Sequence, residues 1–411
     1  MRSTCTRNSF RPAQKVDHIS ATAPASEVPP RSGTQAALPS GRHPSGDPNQ
    51  TVLKRELAPI RRHAGILLAL GLALVAVMVL SVVMGDSDVA RVVTLPRVLA
   101  ISSHHLFHTA LPDTNLFDQL DAIVWGQRVP RALCGALVGM LLAMAGVAFQ
   151  SLLRNPLADP YMVGVSAGAA LGSVLVGLAT ASLVGSAAAI AVIAPPIGAF
   201  IAGLLTMTGV YALSQKSGRL STQTFLLGGI VVGTLLWSVM QLTLALAIRA
   251  QDPGRAATIL SQQLGSIQFV GWGEVAMLVP FGLAGMVILG TAWRELNLVA
   301  LGEESAAHLG VDVESFKRRI IISGSLVTAA AVSVAGIIAF VGMVVPHIGR
   351  RLVGPDHRSL LPAAMLLGGF VIVASDWASR VFLNGIEIGV ITSLIGGPVF
   401  CYLLRRRLAQ P

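Results

Sequence analysis

The sequence predicts an all-α polytopic membrane protein of about ten transmembrane helices. Two observations carry this reading. Of 411 residues, 53% are hydrophobic and only 12% charged, whereas a soluble domain of this length would be about a quarter charged. Apolar runs of about 17 to 25 residues also recur between charges, prolines and glycine clusters, the length a helix needs to cross a bilayer.

Residues 1–62 differ in character, being rich in Ser, Pro, Thr and Arg with no sustained apolar period. Such a segment buries too little surface to offset its ordering entropy, and it reads as a disordered basic tail. A targeting peptide or a start assigned too early are the other readings, and no cleavage-site pattern supports either. The run that follows, AGILLALGLALVAVMVLSVVMG, is longer than a signal-peptide core and reads as a retained first span. The remaining spans centre near residues 141, 171, 199, 236, 283, 330, 345, 371 and 396, after the first near 74. The membrane-spanning body is thus residues 63–407.

An even number of spans puts both termini on one side. Lys54, Arg55, Arg61 and Arg62, then Lys216 and Arg219, Lys317 to Arg319, Arg350, Arg351 and Arg358, and Arg405 to Arg407 all fall on that side. The positive-inside rule makes it cytoplasmic. Arg128, Arg131 and Arg380 fall on the opposite face. The net charge of +10 is therefore a topology signal, and without a basic amphipathic face or a recognition motif it does not point to nucleic acid.

Cys5, Cys134 and Cys401 have no paired spacing and read as free thiols. No Gly-x-x-x-x-Gly-Lys-Ser/Thr occurs, so the chain cannot cradle nucleotide phosphates itself. The acids sit mostly in loops and near span ends, Glu274, Asp376 and Glu387 among them. An ion-coupled carrier would be expected to place a carboxylate near mid-bilayer, so a secondary transporter or channel is the weaker reading. No cluster of catalytic groups argues for an enzyme. Small residues in GALVGMLLAMAG and GVSAGAALG suit close helix packing in lipid.

Four ordered blocks carry a resemblance. The first is RVPRALCGALVGMLLAMAGVAFQSLLRNPLADPYMVGVSAGAALG; then come LNLVALGEESAAHLGV, GIIAFVGMVVPHIGRRLVGPDHRSLLP, and ASDWASR with GVITSLIGGPVF. Together they resemble the FecCD-type permeases of ATP-driven importers over roughly residues 64–407. The resemblance implies a cobalamin-permease-like helical fold and a permease subunit that pairs with a second copy or a similar permease. It further implies two separate ATP-binding subunits that hold the ATP and magnesium, leaving this chain without a cofactor, and a periplasmic or lipid-anchored binding protein. The setting would be the lipid bilayer of a bacterial inner membrane, with both termini cytoplasmic. The cargo would be a metal chelate, ferric siderophore first, with haem and cobalamin behind it.

The resemblance also assigns residues. Arg128, Arg131 and Arg380 match rim arginines that grip acidic side chains of the binding protein, a task suited to planar guanidinium groups. From the residues alone, Arg128 and Arg131 could equally snorkel to headgroups, and Arg380 could pair with Asp376 one turn earlier. Residues 294–319 match the coupling segment that meets the ATPase, with Gly302, Glu303, Ala306, Leu309 and Gly310 as its signature. The two glycines there suit helix ends, and Glu303, Glu304 and Asp312 argue against an interfacial helix on anionic lipid.

Two departures stand out. Gly385 occupies the position of the family's glutamate and Glu387 that of its proline, so the turn into the last span lacks a fixed proline φ. Met343 replaces a leucine, a volume-conserving swap. RNPLADP reads as a structural turn in which Asn155 satisfies freed backbone groups. His104, His105 and His108 read as part of a solvated outer loop, since a metal site would need a third ligand. His347 reads as a hydrogen-bonded structural residue.

Overall fold

In the computed structural model the described residues are 48–85, 93–108, 115–180, 188–216, 219–268 and 270–408. The chain divides into two compact units, Met1–Leu53 and Lys54–Pro411. The first contributes only residues 48–53 to the described part, as helical turns.

The helices are α1 (Pro48–Val83), α2 (Leu95–Phe107), α3 (Asn115–Ile123), α4 (Val129–Leu152), α5 (Val165–Thr180), α6 (Ala188–Leu213), α7 (Thr222–Arg249) and α8 (Pro253–Leu264). They continue with α9 (Trp272–Thr291), α10 (Trp293–Ala300), α11 (Glu303–His308), α12 (Val313–Ala335), α13 (Val341–Val353), α14 (His357–Phe382) and α15 (Ile388–Leu408). A π turn, Val124–Arg128, joins α3 to α4, and a 3-10 turn, Pro160–Val163, precedes α5. A two-residue hairpin, Gln215–Lys216 with Arg219–Leu220, links α6 to α7.

Every expected span centre lies inside a helix. Among the described residues, seven helices are long and apolar enough to cross a membrane, and α5 and α15 are shorter apolar ones. The tenth, α13, has 13 residues, fewer than a bilayer requires. The coil from Gly336 to Phe340 leads into it. Of the segment expected to be a disordered tail, residues 1–47 lie outside the described residues, but residues 48–62 are helical and open α1.

The core is built on α4. Every residue from Leu141 to Leu152 is buried, and α9, α12, α13 and α14 pack around it. Lipid offers apolar side chains no worse a home than protein does, so helices associate in it through close packing rather than through hydrophobic exclusion. Small residues make that possible. A Cβ at Gly139 of α4 would collide with the carbonyl of Gly368 in α14, and one at Gly368 would collide with Gly139. Backbone thus meets backbone at the centre of the bundle.

The turn into α15 shows how the chain does without the expected proline. Asn384 (φ 50°) and Gly385 (φ 80°) occupy the left-handed region in succession, where glycine and asparagine carry the smallest penalty. The amide of Gly385 donates to the Ser379 carbonyl at 3.0 Å, and its own carbonyl accepts from Gln268 Nε2 at 2.7 Å.

Replacing Gly139 by valine is expected to force α4 and α14 apart and cost about 1–3 kcal/mol or more through overpacking. Thermal unfolding in detergent checks this: the expected result is a lower melting temperature, while an unchanged one would show that the two backbones do not touch.

Candidate functional site

Two polar sites lie at opposite ends of the α4–α14 pair. At one end the first turn of α4 meets the last turns of α14 and α1. Asp376, only 1% exposed, accepts through Oδ1 from Arg131 Nε at 2.9 Å and Nη2 at 2.6 Å. Its Oδ2 accepts from Arg380 Nε at 3.1 Å, four residues along the same helix. Arg380 Nη2 also donates to the Ser81 hydroxyl at 2.6 Å and the Ser81 carbonyl at 3.0 Å. Arg128 Nη1 donates to the carbonyls of Val82 and Val83, at 2.9 and 3.2 Å. The last carbonyls of α1 have no helical donor, and guanidinium groups fill that role well because they also oppose the negative end of the helix dipole.

The sequence reading presents these three arginines outward; the structure folds them inward. Arg128 and Arg380 are buried and Arg131 keeps 16% of its side chain exposed. Asp376, which the sequence offered only as a possible partner for Arg380, is the hub that gathers both Arg131 and Arg380. One carboxylate lies between two guanidiniums with Arg128 beside them, so this cluster itself holds more positive than negative charge.

The histidines expected in an outer loop lie instead on α2 and at its end. His105 Nε2 sits 2.7 Å from Asp121 Oδ1, and its ring stacks on Trp125 with centroids 4.4 Å apart. Trp272 Nε1 donates to the Trp125 carbonyl at 2.7 Å, tying this cap to α9. Among the described residues no group of three or more His, Cys, Asp or Glu side chains is placed to hold a metal. Cys134 is buried and Cys401 exposed, both free thiols.

At the other end α10 and α11 form the segment between α9 and α12. Gly302 (φ 131°) and Gly310 (φ 89°) bracket α11, as the sequence reading requires. Ala306 is fully buried, whereas Leu301 and Leu309 are 71% and 62% exposed. Glu303 is turned inward: its carboxylate meets Lys317 Nζ at 2.7 Å, and Glu314 meets the same ammonium at 3.2 Å. Lys317, counted in the sequence only as a topology charge, is thus a buried anchor for α11. Glu314 Oε2 also accepts from the Leu220 amide at 3.3 Å. Arg319 pairs with Glu295 at 2.9 Å, holding α10 to α12.

Beside this segment, Asp356 caps α14, accepting from the Arg358 amide at 3.0 Å and from Asn297 Nδ2 at 2.8 Å. Burial alone would raise the Asp356 pKa, but these two donors and the neighbouring positive charges hold it below the usual carboxylate range. In the turn after α4, Asn155 Oδ1 accepts from the Leu157 amide at 3.1 Å, as expected. Asp159 accepts from the Tyr161 amide at 2.9 Å, is itself buried, and carries no signal in the sequence that separates it from a loop acid.

From His357 to Asp376 is 19 residues of one helix, about 28 Å at 1.5 Å per residue. The arginine cluster and the α10–α11 segment therefore stand about a membrane thickness apart. A bundle with seven helices long and apolar enough to span a membrane among the described residues, and one charged cluster at each end, is a polytopic membrane protein by class.

Comparison with known proteins agrees. The model of the FecCD transport family matches residues 68–406, and the chain belongs to that family. It is 39% identical to an ABC transporter permease of Bacillus subtilis, over 80% of this chain and 90% of that one. It is 42% identical to the cobalamin import system permease of Halobacterium salinarum, over 69% and 74%, and 34% identical to the hemin transport system permease of Yersinia pestis, over 69% and 83%. A solved metal-chelate type ABC transporter in an inward-facing conformation superimposes with a TM-score of 0.68 at 26% identity, covering 84% of this chain and 99% of that one.

Replacing Asp376 by asparagine is expected to leave Arg131 and Arg380 without their counter-charge and to destabilise the fold by about 3–5 kcal/mol, the cost of breaking a buried pair from one side. The melting temperature in detergent should fall sharply, and a variant that melts with the native protein would remove the hub role.

Proposed function

We propose that the chain is the membrane-spanning subunit of an ATP-driven importer that carries a metal chelate across a bacterial inner membrane. The observation that carries this reading is the α10–α11 segment. It is a short helix held rigidly by Lys317 and Ala306, with Leu301 and Leu309 bare on either side of it. Apolar side chains flanking a rigid helix are what a groove in a partner protein can receive, and a rigid body pushed there moves the helices attached to it. The partners are two ATP-binding subunits, which supply the ATP and magnesium sites this sequence lacks.

The positive cluster of Arg128, Arg131 and Arg380 marks the external end, where a periplasmic or lipid-anchored binding protein docks. Because these guanidiniums are engaged within the fold, they act as a field that steers an acidic partner rather than as separate grips. Both termini are then cytoplasmic. A second permease copy covers α7, which leaves Leu227, Val231, Leu235 and Leu242 exposed, and cargo passes between the copies.

Ferric siderophore is the first cargo reading. The 42% identical relative, named for cobalamin import, favours cobalamin as the second. Uptake of a ferric hydroxamate, haem and cobalamin, before and after deletion, separates them. ATP-dependent loss of one is expected, and uptake that continues without ATP hydrolysis would contradict the importer reading.

The substitution Leu309→Asp is expected to leave the permease in the membrane while cutting the co-purifying ATPase subunit about tenfold, as loss of an interface anchor does. Equal recovery of the ATPase with native and variant permease would place the contact elsewhere.

A further inference from the structure

Beyond the Asp356 cap of α14, the His357 ring and the Ser151 side chain at the end of α4 join α10 in one hydrogen-bonded chain. It begins on α10. Asn297 Nδ2 donates to Asp356 Oδ1 at 2.8 Å, which turns the Asn297 carbonyl oxygen towards His357. That oxygen accepts from the His357 amide at 3.0 Å and lies 2.6 Å from Nδ1. Because an amide oxygen can only accept, Nδ1 carries a proton.

The far ring nitrogen, Nε2, lies 2.5 Å from the Ser151 hydroxyl on α4. Ser151 also has the Val147 carbonyl within 2.8 Å. A hydroxyl has one proton to give. With the ring neutral and Nδ1 protonated, Nε2 offers a lone pair and takes that proton; only withdrawal of the ring turns it to the Val147 carbonyl, so the residue has two discrete arrangements, one for each position of His357.

Gln150, the next residue on the α4 backbone, makes a second set of hydrogen bonds into α13. Its Nε2 donates to the carbonyls of Gly342 and Met343, at 3.2 and 3.1 Å, and its Oε1 accepts from Arg350. In a regular helix the Gly342 carbonyl would accept from the amide of residue 346. That residue is Pro346 and has no N–H, so Gln150 supplies the missing donor. The first turn of α13 therefore depends on α4 for its hydrogen bonding. Its N-cap is Phe340, held at φ 68°, a region that costs a bulky side chain energy. The Phe340 ring lies where a Cβ on Gly396 of α15 would fall.

We infer that Asn297, His357 and Ser151 form a positioning relay that carries displacement of the α10–α11 segment to Gln150 and so to the Phe340 turn of α13. The inference rests on the importer reading, which makes α10–α11 the place where force enters. The relay residues touch no cargo; they act through α13, which abuts α15. The hydrogen bonds run from Asn297 through His357 to Ser151, and the α4 backbone joins Ser151 to Gln150, so the relay passes through one step of helix backbone between two side-chain networks.

The test follows hydrogen–deuterium exchange at residues 294–310 and 336–346 in the complete transporter, reconstituted with its ATPase subunits, with and without ATP plus vanadate. In the native protein the nucleotide is expected to change exchange about tenfold in both segments. Ser151→Ala removes a single oxygen atom and is expected to keep the first response while reducing the second to less than about twofold. Ser151→Thr, which keeps the hydroxyl, should retain both. A Ser151→Ala variant that responds at 336–346 like the native protein would overturn the relay, as would loss of that response in Ser151→Thr. A native protein that does not respond at 294–310 would instead refute the coupling surface itself, and the relay with it.

Discussion

The structure depends on one contact, the backbone-to-backbone approach of α4 and α14 at Gly139 and Gly368. In lipid, apolar side chains gain nothing by moving from acyl chains to protein, so packing must come from close approach and from polar groups satisfied between helices. The α4–α14 pair uses both. Glycine brings the backbones together in the middle, and polar clamps close each end: Arg131 with Asp376 at one, Ser151 with His357 at the other. Other helices then pack against a pair whose register is set at three points.

This arrangement has a mechanical consequence. The pair is closely packed at its centre and ends in side-chain hydrogen bonds, with Ser151 within reach of both His357 and the Val147 carbonyl. Next to it, α13 is a short helix whose first turn is completed by a side chain from α4, because Pro346 cannot complete it. Under the proposed importer function the bundle rocks between two states, which needs rigid members joined by elements with discrete alternatives. Here the rigid member is α4–α14, and the alternatives lie where α4, α10, α13 and α14 meet.

Much of this was legible in the sequence. The ten span centres were readable because apolar length is a direct consequence of bilayer thickness, and Gly302 and Gly310 were readable as breaks because helix ends favour glycine. The orientation of the arginines was not legible. Arg128, Arg131 and Arg380 announce themselves as charges on a rim, but whether they point out or in depends on Asp376, which lies 245 residues from Arg131 in the chain. Lys317 misled in the same way: three adjacent basic residues read as a topology signal, while the fold buries the first of them between Glu303 and Glu314. Gln150 and Ser151 carry no motif that marks them, since the orphan carbonyl and the imidazole they serve belong to distant segments.

The central claim is that the α10–α11 segment and the arginine cluster face opposite sides of the membrane. Thiol labelling of sealed vesicles tests it most directly, using Leu309→Cys and Ile386→Cys in turn, in a chain otherwise free of cysteine; both positions are exposed. With an impermeant reagent outside inverted vesicles, Cys at 309 should react and Cys at 386 should be protected, with the pattern reversed in right-side-out vesicles. Reaction of both from the same side would contradict the account.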